Sequence, residues 1–149
     1  MHIETMNDEQ RKAIALEYLK RIDRGENFFD LFDDHAQVYF PKWGVARGRQ
    51  QYEQLFGELI SILSSIIHDN IYFNYVVQGD MVVVEGSSSG VTADGVPWRV
   101  GVTPAGRWCD VFEIRNFKIQ RCFIYLDPDY AGADTARYPW LAHGEPRNY

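Results

Sequence analysis

Cysteine, positive charge and long apolar runs are all scarce in this chain, and each scarcity excludes something. Only two cysteines occur, Cys109 and Cys122. Their separation matches no zinc or redox motif. A chain of 149 residues buries enough surface, roughly 68–70% of what it exposes unfolded, to fold without a disulfide or a metal. Lysine and arginine total 15 against 21 aspartates and glutamates, a net charge of −6. That balance argues against a nucleic-acid partner, whose phosphates call for a basic face. The small cluster Lys20, Arg21 and Arg24 reads as the solvated C-terminal end of a helix, where cations suit the helix dipole. His2, His35, His68 and His143 share no ligand spacing, so no metal site is expected. The longest apolar runs fall far short of the ~20 residues that span a bilayer, and Met1 to Met6 lack a signal-peptide pattern. The expectation is a cytoplasmic protein with free thiols and no membrane partner.

What is abundant is aromatic: nine Phe, nine Tyr and four Trp. That exceeds what a minimal core needs. It fits an aromatic-lined cavity, an oligomer interface or simply an aromatic-rich core.

The periodicity predicts one domain of α+β class. A first helix spans Asp8 to Arg24, with Asn7 as N-cap and Gly25 as the residue that ends it. Ile14, Ala15, Tyr18, Leu19 and Ile22 form its apolar stripe. A short helix is expected over Phe28–Phe32 and a first strand over Ala36–Phe40, before a break at Pro41 and Gly44. A second long helix is predicted from Arg49 to Ile66. Tyr52, Leu55, Phe56, Leu59, Ile60, Leu63, Ile66 and Ile67 recur along it at steps of three and four. Such a face needs a broad partner, and a sheet is the natural one.

From His68 onward the pattern is strand and turn. Strands are predicted over Ile71–Gln78, Met81–Val91, Pro97–Val102, Trp108–Ile114 and Ile119–Leu126. Turns fall at Gly79-Asp80, Asp94-Gly95, Pro104-Ala105-Gly106 and Arg115-Asn116-Phe117. Short connections imply an antiparallel meander. Phe123 to Leu126 are apolar without alternation, which suggests a strand covered on both faces. After residue 127 the chain turns rich in Pro, Gly and aromatics, among them Tyr130, Tyr138 and Trp140. Residues 128–149 are expected to form an arm packed on the body or on a partner subunit.

Some motifs dismiss themselves. Gly101 and Gly106 have the spacing of a phosphate loop, but Arg107-Trp108 follow where Lys-Ser/Thr would be required. Ser87 to Ser89 have no nucleophile elbow around them.

The order of elements resembles the nuclear transport factor 2-like, or SnoaL-like, fold over roughly residues 8–127. The echoes are Glu17 to Gly25, Leu31 to Ala36, Gly79-Asp80 and Cys109 to Asn116. The resemblance implies a curved antiparallel sheet with helices on its concave face, enclosing a cone-shaped pocket. Ketosteroid isomerases, polyketide cyclases, limonene epoxide hydrolases and scytalone dehydratases share this fold. The implied protein is a homodimer with a small hydrophobic ligand and no cofactor. Set against the ketosteroid isomerase pattern, Tyr18 falls at the oxyanion-hole tyrosine and Asp110 at the protonated aspartate. The general base, which precedes a proline, is here Phe40 before Pro41. A positioned base contributes roughly 3–5 kcal/mol, so this departure is large. Asp110 is then itself the candidate acid/base, as the polyketide cyclases imply, alone or with His35, His68 or Asp127. The epoxide hydrolase pattern fails, because Ile124 stands where a carboxylate is needed and Gly86-Ser87-Ser88 replaces its Arg-x-Asp.

Asp110 stands out by its own chemistry too. Trp108, Cys109, Val111 and Phe112 surround it in sequence, and a carboxylate in apolar surroundings is driven toward its neutral form. The alternative is an Asp110 that faces solvent or pairs with Arg99. Alternation puts Trp108, Asp110, Phe112 and Ile114 on one face, though a one-residue slip at the Phe117 turn would reverse it. The resemblance adds Cys122 and Ile124 to that face. Phe40, Trp43, Phe56, Leu59 and Leu63 are expected to close the pocket from the helical side.

Overall fold

The structure is a computed structural model that describes residues 5–141. Helix α1 covers Asp8–Arg24. Asn7 caps it reciprocally with Gln10: the Gln10 amide donates to Asn7 Oδ1 at 2.8 Å and the Asn7 amide donates to Gln10 Oε1 at 2.9 Å. Gly25, at φ 68°, ends it in the left-handed region that glycine enters at little cost. The buried side of α1 is Ala15, Tyr18 and Leu19.

Strand β1 spans Phe32–Phe40 and β2 spans Gly44–Arg47. β1 begins four residues earlier than its alternation suggests, because only a single 3-10 turn, Phe29–Leu31, stands where a short helix was expected.

Helix α2 covers Arg49–Ser61 and gives way at Ile62 to strand β3, Leu63–His68. The predicted helix to Ile66 is therefore too long. Residues 62–67 include three isoleucines, whose branched Cβ favours a pleated strand. β3 also finds a partner that a helix would forfeit. It pairs antiparallel with β5, Met81–Thr92, through Ile66↔Gly90, Ile67↔Ser89 and His68↔Ser88. Ile67, read as part of an apolar helix face, is 59% exposed. Strand β4, Asn74–Gln78, starts later than predicted, since Asn70–Tyr72 form another 3-10 turn. β6 is Pro97–Arg99, β7 is Arg107–Arg115 and β8 is Lys118–Leu126.

One 8-stranded sheet results, ordered β2-β1-β8-β7-β5-β3, with β4 and β6 also paired to β5. Most neighbours are antiparallel, but β1 and β8 run parallel, so the sheet is mixed rather than wholly antiparallel. Two strands that lie far apart in sequence have no hairpin to set their direction. Register shifts in β1–β8, β3–β5 and β7–β8 bend the sheet around the helices, as bulges do. Gly90 on β5 marks a close approach. A Cβ there would lie 2.1 Å from the Ser65 carbonyl oxygen and 2.8 Å from the Trp98 ring.

The β7–β8 hairpin turns through Asn116 and Phe117, both left-handed at φ 53° and 59°. Two successive left-handed residues make the tight turn that matches strand twist, and they resolve the register. Asp110 pairs with Ile124 and Phe112 with Cys122. Trp108, Asp110, Phe112 and Ile114 are all buried on the concave side.

Tyr18 sits at the centre of the core. Phe28, Phe32, Phe56 and Phe112 surround its ring at centroid distances of 5.3–6.1 Å, all edge to face. On the convex side Tyr39 stacks near Phe123 and Tyr125, and Tyr125 is 46% exposed. The described residues thus bury the inner face of the 123–126 stretch and leave the outer face partly open. The arm is described to residue 141. Its Tyr130 is buried against Trp98, ring centroids 4.8 Å apart, while Tyr138 and Trp140 are exposed. Residues 142–149 of the expected arm lie outside the described residues, as do His2 and His143. Among the described residues no helix is long and apolar enough to cross a membrane.

Candidate active site

Between α1, α2 and the concave sheet lies a cavity of about 560 Å³. Its walls include Tyr18, Phe40, Phe56, Leu59, Leu63, Trp108, Asp110 and Ile124. Each element brings its residue in for a local reason. α1 carries Tyr18 on its apolar stripe, β7 carries Trp108 and Asp110 two residues apart on one face, and Phe40 ends β1 just before the Pro41 turn.

Three residues expected in the lining are elsewhere. Trp43 follows the tight turn in which its amide donates to the Phe40 carbonyl at 3.1 Å. That turn swings the indole outward into a separate cleft, where Nε1 donates to Glu58 Oε2 at 2.9 Å. Phe112 and Cys122 do face inward, but they form the layer beneath. The Tyr18 ring lies edge-on to Phe112 at 5.6 Å, and the Tyr18 hydroxyl and Cys122 thiol are close enough to influence each other's ionisation.

Asp110 is 3% exposed, and among the described residues no ion pair neutralises it. Arg99, an alternative partner, is exposed on β6. Burial alone raises the Asp110 carboxyl to about 8, because the charged form loses its water without gaining a countercharge. Burial raises the Tyr18 hydroxyl well above the usual phenol range, with the Cys122 thiol and the Asp110 carboxyl adding to it. The Cys122 thiol is pushed well up by burial and then by Asp110. Tyr130, which reaches the cavity from the arm, is raised by burial and again by Asp110. Near neutral pH the inner end of the cavity therefore presents uncharged groups that can donate hydrogen bonds, one carboxylic acid and two phenols, with the Cys122 thiol in the layer beneath.

A second polar group lines the same cavity. His68, at the end of β3, is 8% exposed. Asp23, in the last turn of α1, holds it twice. The His68 amide donates to Asp23 Oδ2 at 2.9 Å, and His68 Nδ1 lies 2.5 Å from Asp23 Oδ1. The imidazole stands edge-on to the Trp108 indole at 5.2 Å. Asp23 and Tyr130 were not singled out by sequence reasoning. The Asp23–His68 pairing spans 45 residues, and Tyr130 sits among turn residues, so neither has a local signal. The one available hint for Asp23 is its place on the same helix as Tyr18. His35 and Asp127, weighed beside His68 as partners for Asp110, are both exposed and outside the lining. Asp127 instead accepts from the Asp129 amide at 2.9 Å in a turn. Among the described residues no three His, Cys, Asp or Glu side chains are grouped to hold a metal.

No curated protein matches the chain. Solved structures do share its shape. An NTF2-like protein from Anabaena variabilis superposes with a TM-score of 0.67 at 18% identity, over 87% of this chain and 98% of that one. A candidate polyketide cyclase from Xanthomonas campestris pv. campestris gives 0.69 at 13% identity, over 82% and 93%. TerC, co-crystallized with polyporic acid, gives 0.66 at 13% identity, over 79% and 92%. At such identities the likeness shows the fold: the α+β architecture of NTF2-like proteins, which a Xanthomonas campestris relative of 19% identity shares under the description cystatin-like. The profile of the SnoaL-like domain matches residues 17–122, from helix α1 to the middle of strand β8, and the chain belongs to the SnoaL-like domain family.

Proposed function

We propose that this protein is a cofactor-independent enzyme that binds a small hydrophobic carbonyl compound, polyketide- or steroid-like, and transforms it by acid–base catalysis. Isomerisation, cyclisation and dehydration all belong to this class. Asp110 acts as the proton donor to the carbonyl oxygen, and Tyr18 is the second donor. The observation that carries this reading is a buried, unpaired carboxyl in the wall of an aromatic cavity, raised to about 8. A group so placed stays protonated near neutrality and costs stability, which an enzyme tolerates when the group has chemistry to do. The family profile and the candidate polyketide cyclase of the same fold agree with this class. A relative co-crystallized with polyporic acid supports a small organic ligand.

The ring of Phe40 in the cavity wall, where the ketosteroid isomerase pattern has its base, favours a second reading: a ligand-binding module without chemistry. Retention of an apolar ligand with no turnover, seen by native mass spectrometry, would support it. The protein is further proposed to act in the cytoplasm, with Cys109 and Cys122 as free thiols, and as a homodimer through the convex sheet face.

The test is substitution. With a turned-over substrate in hand, Asp110→Asn is expected to lower turnover at least tenfold while the protein stays folded, since removing one such donor costs roughly 3 kcal/mol of transition-state stabilisation. Full turnover by the variant would remove Asp110 from the mechanism.

A further inference from the structure

Phe40 brings no acid–base group to the cavity wall, so its position is what matters. Asp110 pairs with Ile124 on β8. Tyr39 pairs with Phe123, so Phe40, one residue on, stands beside Ile124. Asp110, Ile124 and Phe40 thus form one row across three neighbouring strands of the concave face. Two strand spacings of about 4.8 Å put the Phe40 backbone roughly 10 Å from that of Asp110. Beyond Phe40 the row does not run into packed protein. The cleft that receives Trp43 lies there, with a volume of about 410 Å³. Among the described residues, Phe40 and Leu59 are the two that line both the cavity and the cleft. Two apolar side chains are therefore the wall between them. The rest of the cleft is held in place independently. Glu58, which accepts from the Trp43 indole, also accepts from Gln54 Nε2 at 2.9 Å. On the opposite side the Asp129 carboxylate accepts from the Ala133 and Asp134 amides at 2.8 and 2.9 Å and fixes the arm. The Phe40 backbone is fixed as well, paired with Gly44 and bonded to the Trp43 amide.

We propose that Phe40 is the residue that sets ligand length: with Leu59 it stops the apolar body of a bound molecule and shuts off the Trp43 cleft as a further subsite. This rests on the reading above, in which a small hydrophobic compound sits with its oxygen at Asp110, and it narrows the substrate class. The substrate is compact. It reaches no more than roughly 10 Å from its bound oxygen toward β1, and long straight acyl chains are excluded. An extended chain advances roughly 1.2 Å per bond, so the limit falls at about eight bonds. A tail that leaves instead through the mouth of the cavity passes Ile60 and Ile67, which are 56% and 59% exposed. Carbons beyond that point stay in water and add little affinity.

Straight-chain methyl ketones of about six to about fourteen carbons serve as the probe, titrated against the whole chain. Affinity for the unsubstituted chain is expected to rise roughly fourfold per added carbon and to level off near eight bonds from the oxygen. Phe40→Ala is expected to carry the rise several carbons further. Fluorotryptophan incorporation gives each of the four tryptophans its own fluorine NMR signal, and Trp43→Phe identifies that of Trp43 by its loss. In the unsubstituted chain the ketones should shift the Trp108 signal and leave Trp43 unmoved. In Phe40→Ala the long ketones should shift Trp43 as well. Thermal melts identify a variant that fails to fold. Leu59→Ala, a smaller change, opens the same wall from the helix side and is the second variant. The fluorine measurement on the unsubstituted chain needs neither. The same levelling point in the unsubstituted chain and in both folded variants overturns the proposal, and so does a shift of Trp43 by long ketones without any substitution. If short ketones still shift Trp108 in those cases, the wall falls and the cavity reading stands. If no ketone binds the unsubstituted chain, both fall.

Discussion

Asp110 makes the folded protein sensitive to alkali. Its carboxyl ionises near 3.8 when the chain is unfolded and at about 8 when folded. Between those values the folded state holds a proton that the unfolded state has lost. Stability is therefore fullest below the lower value and falls as pH rises toward the upper one, by up to about 1.4 kcal/mol per pH unit. Asp110→Asn removes the ionisation and keeps the shape. The variant is expected to melt at a higher temperature than the parent at pH 8 and at nearly the same temperature at pH 4. Parallel melting curves across pH would refute this. Asp110 was legible from sequence because strand alternation puts it among Trp108, Phe112 and Ile114. The partnership of Asp23 with His68 was not, because a hydrogen bond across 45 residues leaves no periodic trace. Trp43 was misplaced for a related reason: its direction depends on the turn at Phe40–Trp43 and not on its hydrophobicity.

Among the elements, the junction of α2 and β3 decides the shape of the cavity. Steps of three and four from Tyr52 to Ile66 describe a helix as far as Ser61 and then a strand with the same apolar count. Periodicity is blind to that change, since a short apolar run fits either structure. The arbiter is β5, which offers β3 a ladder broken at one register shift, between Leu63 and Ser65, and tertiary pairing of this kind overrides local preference. The ladder depends on Gly90, where an added Cβ would meet the Ser65 carbonyl oxygen at 2.1 Å. Backbone cannot yield as a flexible side chain would. Gly90→Ala is therefore expected to destabilise the protein by about 2–3 kcal/mol, read from urea unfolding, and to loosen the His68 end of the cavity. A loss under half a kcal/mol would show that β3 can shift aside. The caps of α1 and most strand turns, by contrast, were legible, because Asn7, Gly25, Gly79 and Gly95 act within a few residues of themselves.

For the molecule as a whole, the convex face and the arm raise different questions. The convex face has Tyr39 in ring contact with both Phe123 and Tyr125, and Arg121 4.1 Å above the Phe123 ring. An aromatic patch on an open sheet suits association with a second copy. Sedimentation at micromolar concentration is expected to give a dimer for the parent and a folded monomer for Tyr125→Glu. A monomeric parent would remove the proposal. The α+β class and the single curved sheet could be read from element order, yet the parallel pairing of β1 with β8 could not. It joins the two ends of the fold, and a chain read from one end to the other gives no direction for such a meeting.

Tyr130 lies beyond the last strand, outside residues 17–122 of the family profile. It nonetheless supplies part of the cavity's boundary, resting on Trp98. No ladder of the sheet runs through it. It behaves as a stopper seated in a finished vessel: exchange the stopper, and the same vessel holds a longer or shorter guest. Selectivity in this lineage can therefore drift through the arm while the strands, helices and acid–base groups stay as they are.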